Sequence, residues 1–385
     1  MTRATVGTRT ILYVANGAGL GGGGRVLAQA MSGLEPPFVP RLAVPGPGTF
    51  SEWAMAHGIP WFVAPSGGSR AVRGRAGTYR NAVELATAAW HVAAIHAEAV
   101  TCYPPVGLIG GLLRVPRICH VQFPPAPGEL EWALRYGAEA VVTVYEHQAR
   151  EIRGHVPAHI PVIPIPNGID VEHYAAPDPS PEATAALREG ASHTAVLVGH
   201  VSEVKGYPTY LRAAKLVLER FPQALFLCAG GETVGVGYTD RMRHLAAELG
   251  VSPRVRFLGP LPDVRVALRA ADLFVLPSEQ EGLPLAALEA MSCGRAVIST
   301  PVNGVPEAVQ AGVTGLLVPP RDAEALAAAI VTLFTDASRR AEMGRQGVRR
   351  VRERFGVQRV QQRLNSLYRE LTDAKAATAG GKTPC

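Results

Sequence analysis

The sequence predicts an α/β protein of two Rossmann-like units, each a parallel, doubly wound sheet. Its length, its composition and the rhythm of its β-rich runs lead there. A chain of 385 residues exceeds what one ordinary hydrophobic core organises, so two domains are expected. Apolar residues make up 47% and charged residues 18%, a balance that suits sheets buried on both faces and excludes a disordered or fibrous chain. Short β-rich runs then alternate with helical patterns along both halves, which is the signature of βαβ winding.

In the first half the expected strands are Thr10–Ala15, Arg41–Val44, Glu98–Cys102, Arg117–Val121, Ala140–Val144 and Pro161–Ile165. In the second they are Thr194–Gly199, Ala224–Ala229, Arg254–Leu258, Asp272–Leu276, Arg295–Ser299 and Gly315–Val318. Between them, Pro166–Ala183 is dense in proline and turn formers, and both periodicities lapse there. The boundaries drawn on this basis are 1–170 for the first unit, 171–190 for a linker and 191–355 for the second unit. A terminal helix (356–373) and a disordered tail (374–385) follow.

The formal charge of +6 is modest, and its C-terminal excess sits in arginines such as Arg339, Arg349 and Arg354, which read as solvated helix faces. No nucleic-acid motif accompanies them. The five cysteines are scattered and never form Cys-x-x-Cys, which fits a reducing cytoplasm. The N-terminus has no apolar signal-peptide core and no run approaches the ~20 apolar residues of a membrane span. The expected location is cytoplasmic, with any contact to the inner membrane face peripheral.

Open α/β sheets bind ligands at the carboxyl ends of their strands, so the chemistry is sought in the loops that follow them. The first such loop, NGAGLGGGGR, satisfies G-x-G-x-x-G with Gly17, Gly19 and Gly22, the pattern of a dinucleotide site. However, the second strand, RLAV, runs into Pro45-Gly46-Pro47-Gly48 with no acidic residue for a ribose, which weakens a nicotinamide oxidoreductase. Close approach of a ligand to backbone N–H groups at the start of the helix that carries Arg25 is the physical reading that stays.

In the second loop a strand runs out at Gly199 and a helix begins near Tyr207, with Lys205 and Gly206 just before it. A lysine there adds its charge to the positive end of the helix dipole, a place for an anion such as a diphosphate. The third loop holds Glu281 and Gly282; Pro284 starts a helix, and Glu289 lies about a turn and a half into it. Two carboxylates so placed accept hydrogen bonds from hydroxyls, which suits polyols. Glu289, among Leu288, Ala290 and Met291, is expected to be partly buried and in need of a partner.

These three loops in this order resemble family 4 of the retaining glycosyltransferases, and the likeness runs from about Thr10 to Leu371. The piece EGLPLAALEAMSCGRAVIST is similar to the family's E-x7-E motif. The resemblance implies that Glu281 meets the donor sugar and Glu289 the nucleotide ribose, with backbone contacts from Gly282, Leu283 and Pro284. PNGID (Pro166–Asp170) matches the family's interdomain junction, and VRFLGPL, with Leu258, lies near its base pocket. GGGGRV, with Gly22 and Gly23, resembles the family's glycine loop facing donor and acceptor.

The implied fold is GT-B: two Rossmann-like domains facing each other across a cleft, the first binding acceptor and the second donor, with the C-terminal helix crossing back to the first. The implied reaction is transfer of a sugar from a nucleotide-diphosphate sugar to an acceptor hydroxyl, with retention. In that reaction Lys205, Glu281 and His200 are the catalytic group and Gly199 lines the donor site.

Two departures from the pattern stand out. His200 occupies the place of the arginine that usually pairs with the lysine, so Lys205 is expected to carry more of the diphosphate charge. In PRICHVQFPPA the register puts Gln122, not His120, at the histidine that usually contacts the donor sugar, and either of the two fits that role. No Asp-x-Asp occurs, so neither a metal nor any other cofactor is expected. The alternatives are a GT-B sugar-nucleotide epimerase and a catalytically silent nucleotide-sugar-binding partner. The basic stretch Ser66–Arg80 reads as an acceptor or membrane-surface loop, or as a solvated linker.

Overall fold

A computed structural model describes residues 7–64, 75–232 and 237–380. Most of the basic stretch Ser66–Arg80 therefore lies outside the described residues, and the helix Arg75–Ala89 takes its last part. The chain divides into two units, Met1–Gly168 with Val357–Cys385, and Ile169–Gly356. The division falls inside PNGID, between Gly168 and Ile169.

The first unit is a seven-stranded parallel sheet: β1 (Arg9–Val14), β2 (Phe38–Val44), β3 (Trp61–Val63), β4 (Val92–Ala97), β5 (Arg117–Val121), β6 (Ala140–Thr143) and β7 (Val162–Pro164). Their spatial order is β3-β2-β1-β4-β5-β6-β7, so the winding reverses between β1 and β4. The second unit has six parallel strands: β8 (His193–Val198), β9 (Ala224–Ala229), β10 (Val255–Gly259), β11 (Leu273–Leu276), β12 (Ala296–Ser299) and β13 (Gly315–Leu317). Here the order is β10-β9-β8-β11-β12-β13, and the reversal lies between β8 and β11. Both are Rossmann-like sheets with one switch point each. Strands such as ALFLCA (β9) are buried at every residue, as a sheet covered by helices on both faces requires.

Three sequence expectations differ from what is seen. Glu98–Cys102 is not a strand: β4 is the alanine-rich run VAAIHA before it, and Val100–Cys102 forms a 3-10 turn leading into the helix Tyr103–Leu112. Local propensity favours Val-Thr-Cys as strand and the alanines as helix, but the central, fully covered position of β4 overrides it. The stretch 171–190 holds the helices Val171–Ala175 and Pro181–Arg188 and falls in the second unit. Its turn formers are helix starts: the Asp170 side chain accepts the His173 N–H, and Pro181 sits in a first turn. The terminal helix, Val357–Gly380, continues through the first seven residues of the expected tail, and 381–385 lie outside the described residues.

That helix belongs to the first unit. Its Tyr368 is fully buried, accepts a hydrogen bond from Tyr13 (3.1 Å) and bonds His96 Nδ1 at 2.7 Å. Asn365 adds two backbone partners, accepting from the Glu35 N–H and donating to the Gly33 carbonyl. No helix among the described residues is long and apolar enough to cross a membrane.

Candidate functional site

In the second unit the loops after β8 and β11 flank the switch point, and the structure brings Lys205 and Glu281 together there. Lys205 Nζ lies 2.7 Å from Glu281 Oε1, with the carboxylate almost fully buried and the lysine largely so. Ser278 Oγ donates to the same oxygen at 2.6 Å, while the Glu281 N–H donates to Asn303 Oδ1. Both side-chain donors fall on Oε1. A buried carboxylate needs such partners, and two donors on one oxygen fix its orientation.

The ends of this loop are pinned by hydrogen bonds that run across strands. Ser299 Oγ donates to the Leu276 carbonyl, Thr300 Oγ1 to that of Ser278, and the Gly304 N–H to that of Gly282. Ser278 and Asn303 were not singled out from sequence. Neither side chain announces itself, because each acts on Glu281 through the fold. Asn303 adopts φ +47°, a left-handed conformation that asparagine tolerates better than most residues, and this turns its side chain back to Glu281.

Lys205 is delivered by a 3-10 turn, Glu203–Lys205, that ends at Gly206. Gly206 has φ +71°, and a Cβ there would stand 2.0 Å from the Pro277 carbonyl oxygen, so the loops after β8 and β11 touch backbone to backbone at this glycine. Pro208 lies in the first turn of the helix Tyr207–Arg220 that follows. Gly199 sits under the aliphatic stem of Lys205. His200 is half-buried; desolvation first, and the Lys205 charge second, hold its imidazole below its ordinary pKa. It is therefore neutral at neutral pH and can offer one N–H but no charge.

Gly282, Leu283 and Pro284 are buried in the same loop, with Pro284 one residue before the helix Leu285–Ser292 as its N-cap. Glu289 is 1% exposed and takes the Tyr174 hydroxyl at 3.0 Å. Leu258 lies on β10, partly buried.

The remaining predicted residues are in the first unit. Gly22 and Gly23 open the helix Gly22–Ser32 after β1. A Cβ on Gly23 would fall 2.2 Å from Glu98 Oε1 and 3.0 Å from Gln122 Oε1, so glycine is what lets these side chains reach the helix start. Gln122 is 6% exposed and its Nε2 has no hydrogen-bond partner. His120 places its Nδ1 3.1 Å from His96 Nε2 and, like Gln122, has a buried Nε2 without a hydrogen-bond partner; burial depresses its pKa to about 4.

Glu98 falls inside the run Glu98–Cys102 that the sequence assigns to a strand, and so does not stand out there. It is the residue after β4, on the other side of the switch point from the glycine loop. Its Oε2 accepts the Asn16 N–H at 2.7 Å, and burial pushes its carboxyl up to about 7 against the opposing pull of that hydrogen bond. An acidic residue directly after the alanine-rich run, at the position equivalent to Glu281's strand end, is the signal that would have found it. Among the described residues no group of three or more His, Cys, Asp or Glu is placed to hold a metal ion.

Solved structures share this architecture. Anabaena Alr3699/HepE in complex with UDP-glucose aligns with a TM-score of 0.82 at 22% identity, over 94% of this chain and 99% of that one. Sucrose-phosphate synthase from Thermosynechococcus elongatus aligns at 0.74 and 22% identity, over 95% of this chain and 100% of its own. The fold is GT-B. Within this GT-B chain, residues 184–350 match the family model described as "Glycosyl transferases group 1". That segment holds the Lys205–Glu281 pair and Glu289.

Among curated relatives, the D-inositol 3-phosphate glycosyltransferase of Corynebacterium jeikeium (strain K411) is 36% identical over 220 residues, covering 54% of this GT-B chain and 52% of the relative. The lipopolysaccharide core biosynthesis mannosyltransferase LpcC of Rhizobium leguminosarum bv. viciae is 29% identical over 213 residues, covering 55% and 60%. The chain thus spans about half the length of the curated relatives it matches.

Proposed function

We propose that this chain is a retaining glycosyltransferase that moves a sugar from a nucleotide-diphosphate sugar to an acceptor hydroxyl. The ion pair of Lys205 with Glu281, at the switch point of the sheet inside the group 1 segment, carries this reading. A buried carboxylate for sugar hydroxyls and a cation for a diphosphate stand side by side there. The names of the relatives, all glycosyltransferases, and the UDP-glucose held by the HepE structure support the same class.

In this reading the leaving diphosphate gathers negative charge as the glycosidic bond breaks. Lys205 and the N-terminal N–H groups of the helices Tyr207–Arg220 and Leu285–Ser292 stabilise that charge. His200 contributes a neutral hydrogen bond, because its environment disfavours the imidazolium. Glu281 Oε2 orients the donor sugar, and Glu289, held by Tyr174, takes the ribose. The leaving phosphate accepts the acceptor proton, so no protein base is required.

A thermal-shift series with UDP-glucose, UDP-N-acetylglucosamine and GDP-mannose tests the donor class. A donor at a hundred times its Kd adds about 2.7 kcal/mol to apparent stability, so one of the three is expected to raise Tm by several degrees. If none raises Tm and none is consumed, this reading fails. The proposal also carries metal-independent transfer, on the absence of Asp-x-Asp. Initial rates are expected to be unchanged in excess EDTA, and a rate abolished by EDTA and restored by Mg2+ would remove that part.

A further inference from the structure

Four side chains inside the first unit form one hydrogen-bonded line. The Tyr13 hydroxyl donates to that of Tyr368 at 3.1 Å, and Tyr368 meets His96 Nδ1 at 2.7 Å. His96 Nε2 then stands 3.1 Å from Nδ1 of His120, near the C-terminal end of β5. All four residues are at most 3% exposed, and the Tyr13 and His96 rings stack at 5.6 Å. Burial keeps its proton on each phenol and keeps both imidazoles uncharged at neutral pH, helped at His96 by repulsion from His120. At the end of the line, His120 Nε2 is buried with no hydrogen-bond partner.

The line therefore holds four hydrogens, one on each group, for three hydrogen bonds. A neutral imidazole has one N–H and one bare nitrogen, so both bonds of His96 run in the same direction. If they run from His120 toward Tyr368, a phenol hydrogen is left over in the core and His120 Nε2 is a bare nitrogen without a donor. Two groups are then unmet. If they run from Tyr368 toward His120, the spare hydrogen falls on His120 Nε2 and is the single unmet group. It then lies toward the end of the sheet where open α/β folds take ligands. Each unmet buried polar group costs stability, so the second direction is favoured.

We propose that Tyr368 is a positioning residue: its hydroxyl, relayed by His96, holds the proton of His120 on Nε2. His120 is then a hydrogen-bond donor with no free lone pair, because its Nδ1 is already taken by His96. In the transferase reading, on which only this consequence rests, His120 cannot take a proton from the acceptor. The last helix of the chain thereby sets the proton of a β5 side chain two hydrogen bonds away.

The test is a long-range 1H–15N spectrum of the full chain labelled with 15N-histidine, at neutral pH and without ligand; His96→Asn and His120→Asn assign the two rings. Both are expected to carry the proton on Nε2 and to have a bare Nδ1. His57 is the internal reference for the opposite state, since its Nδ1 lies 2.8 Å from the Trp53 carbonyl oxygen, which can only accept. Tyr368→Phe removes the donor to His96 Nδ1, and the ratio of the two His120 tautomers is expected to change about tenfold while His57 stays as it was. A proton on Nδ1 of either ring in the unaltered protein overturns the proposal, as does a His120 tautomer that ignores Tyr368→Phe. Should that variant fail to fold, 3-fluorotyrosine in place of tyrosine makes the hydroxyl a stronger donor. His96 Nδ1 must then shift further from the bare-nitrogen position, and no shift overturns Tyr368 as the donor. A protein that ignores every nucleotide sugar would remove the transferase reading and leave these protons where they are.

Discussion

Replacing Lys205 by alanine is expected to lower the initial rate of sugar transfer about a hundred- to a thousand-fold, the usual effect of removing one charged stabiliser from a transition state. Two consequences follow from its geometry. On the proposed reading the substitution deletes the cation that meets the diphosphate, and it also strips Glu281 of its ionic partner at 2.7 Å, leaving Ser278 as the carboxylate's remaining side-chain donor. The loss therefore falls on the donor's sugar as well as on its phosphates. His200→Ala is expected to cost much less, about tenfold, the worth of one neutral hydrogen bond. Burial and the neighbouring ammonium keep the imidazole uncharged at neutral pH, so the variant loses no positive charge. Initial rates of both variants with one donor decide the matter; equal losses would sink this division of labour.

Gly206→Ala is expected to give a large loss of stability in the second unit. The left-handed backbone alone costs a non-glycine residue about 1–2 kcal/mol. Here the added methyl would also stand 2.0 Å from the Pro277 carbonyl oxygen, an approach that only movement of the backbone relieves. Gly190 provides the control. Its φ of +69° nearly equals the +71° of Gly206, and a Cβ there meets nothing within 4 Å. Thermal melts of Gly190→Ala and Gly206→Ala should thus separate the backbone cost from the collision, at about 2–4 °C of Tm for each kcal/mol. Equal melting temperatures would show that the two loops do not press on each other at this position. Because that contact joins the loop of Lys205 to the strand end before Glu281, activity is expected to fall with stability.

The second unit is more legible in the sequence than the first, for a physical reason. Its candidate loops follow strands of the Val/Leu/Phe-rich kind, where propensity and burial agree, so Lys205 and Glu281 fall in loops after strands on pattern alone. What the pattern does not hold is their mutual distance, which depends on the order in which the strands are laid side by side. Asn303 is illegible for the same reason, being 22 residues from Glu281 and brought to it by the pairing of β11 with β12, whereas Ser278 is only three residues from Glu281 and depends on the local turn of that loop. In the first unit the alanine-rich β4 reads as helix, and that one displaced strand hides Glu98. The glycine loop and Gln122 are visible, but the Glu98 carboxylate that meets them is not.

Tyr368 ties the last helix to β1 and β4 through its hydroxyl, and the chain comes back to this sheet only after all of Ile169–Gly356 has been laid down. Such contacts span more than 350 residues of sequence for Tyr13 and 270 for His96. On the ribosome, the second unit has its whole sequence to hand as soon as it emerges, whereas the first waits for the final residues before its core is covered. The part of the protein made first is the part finished last.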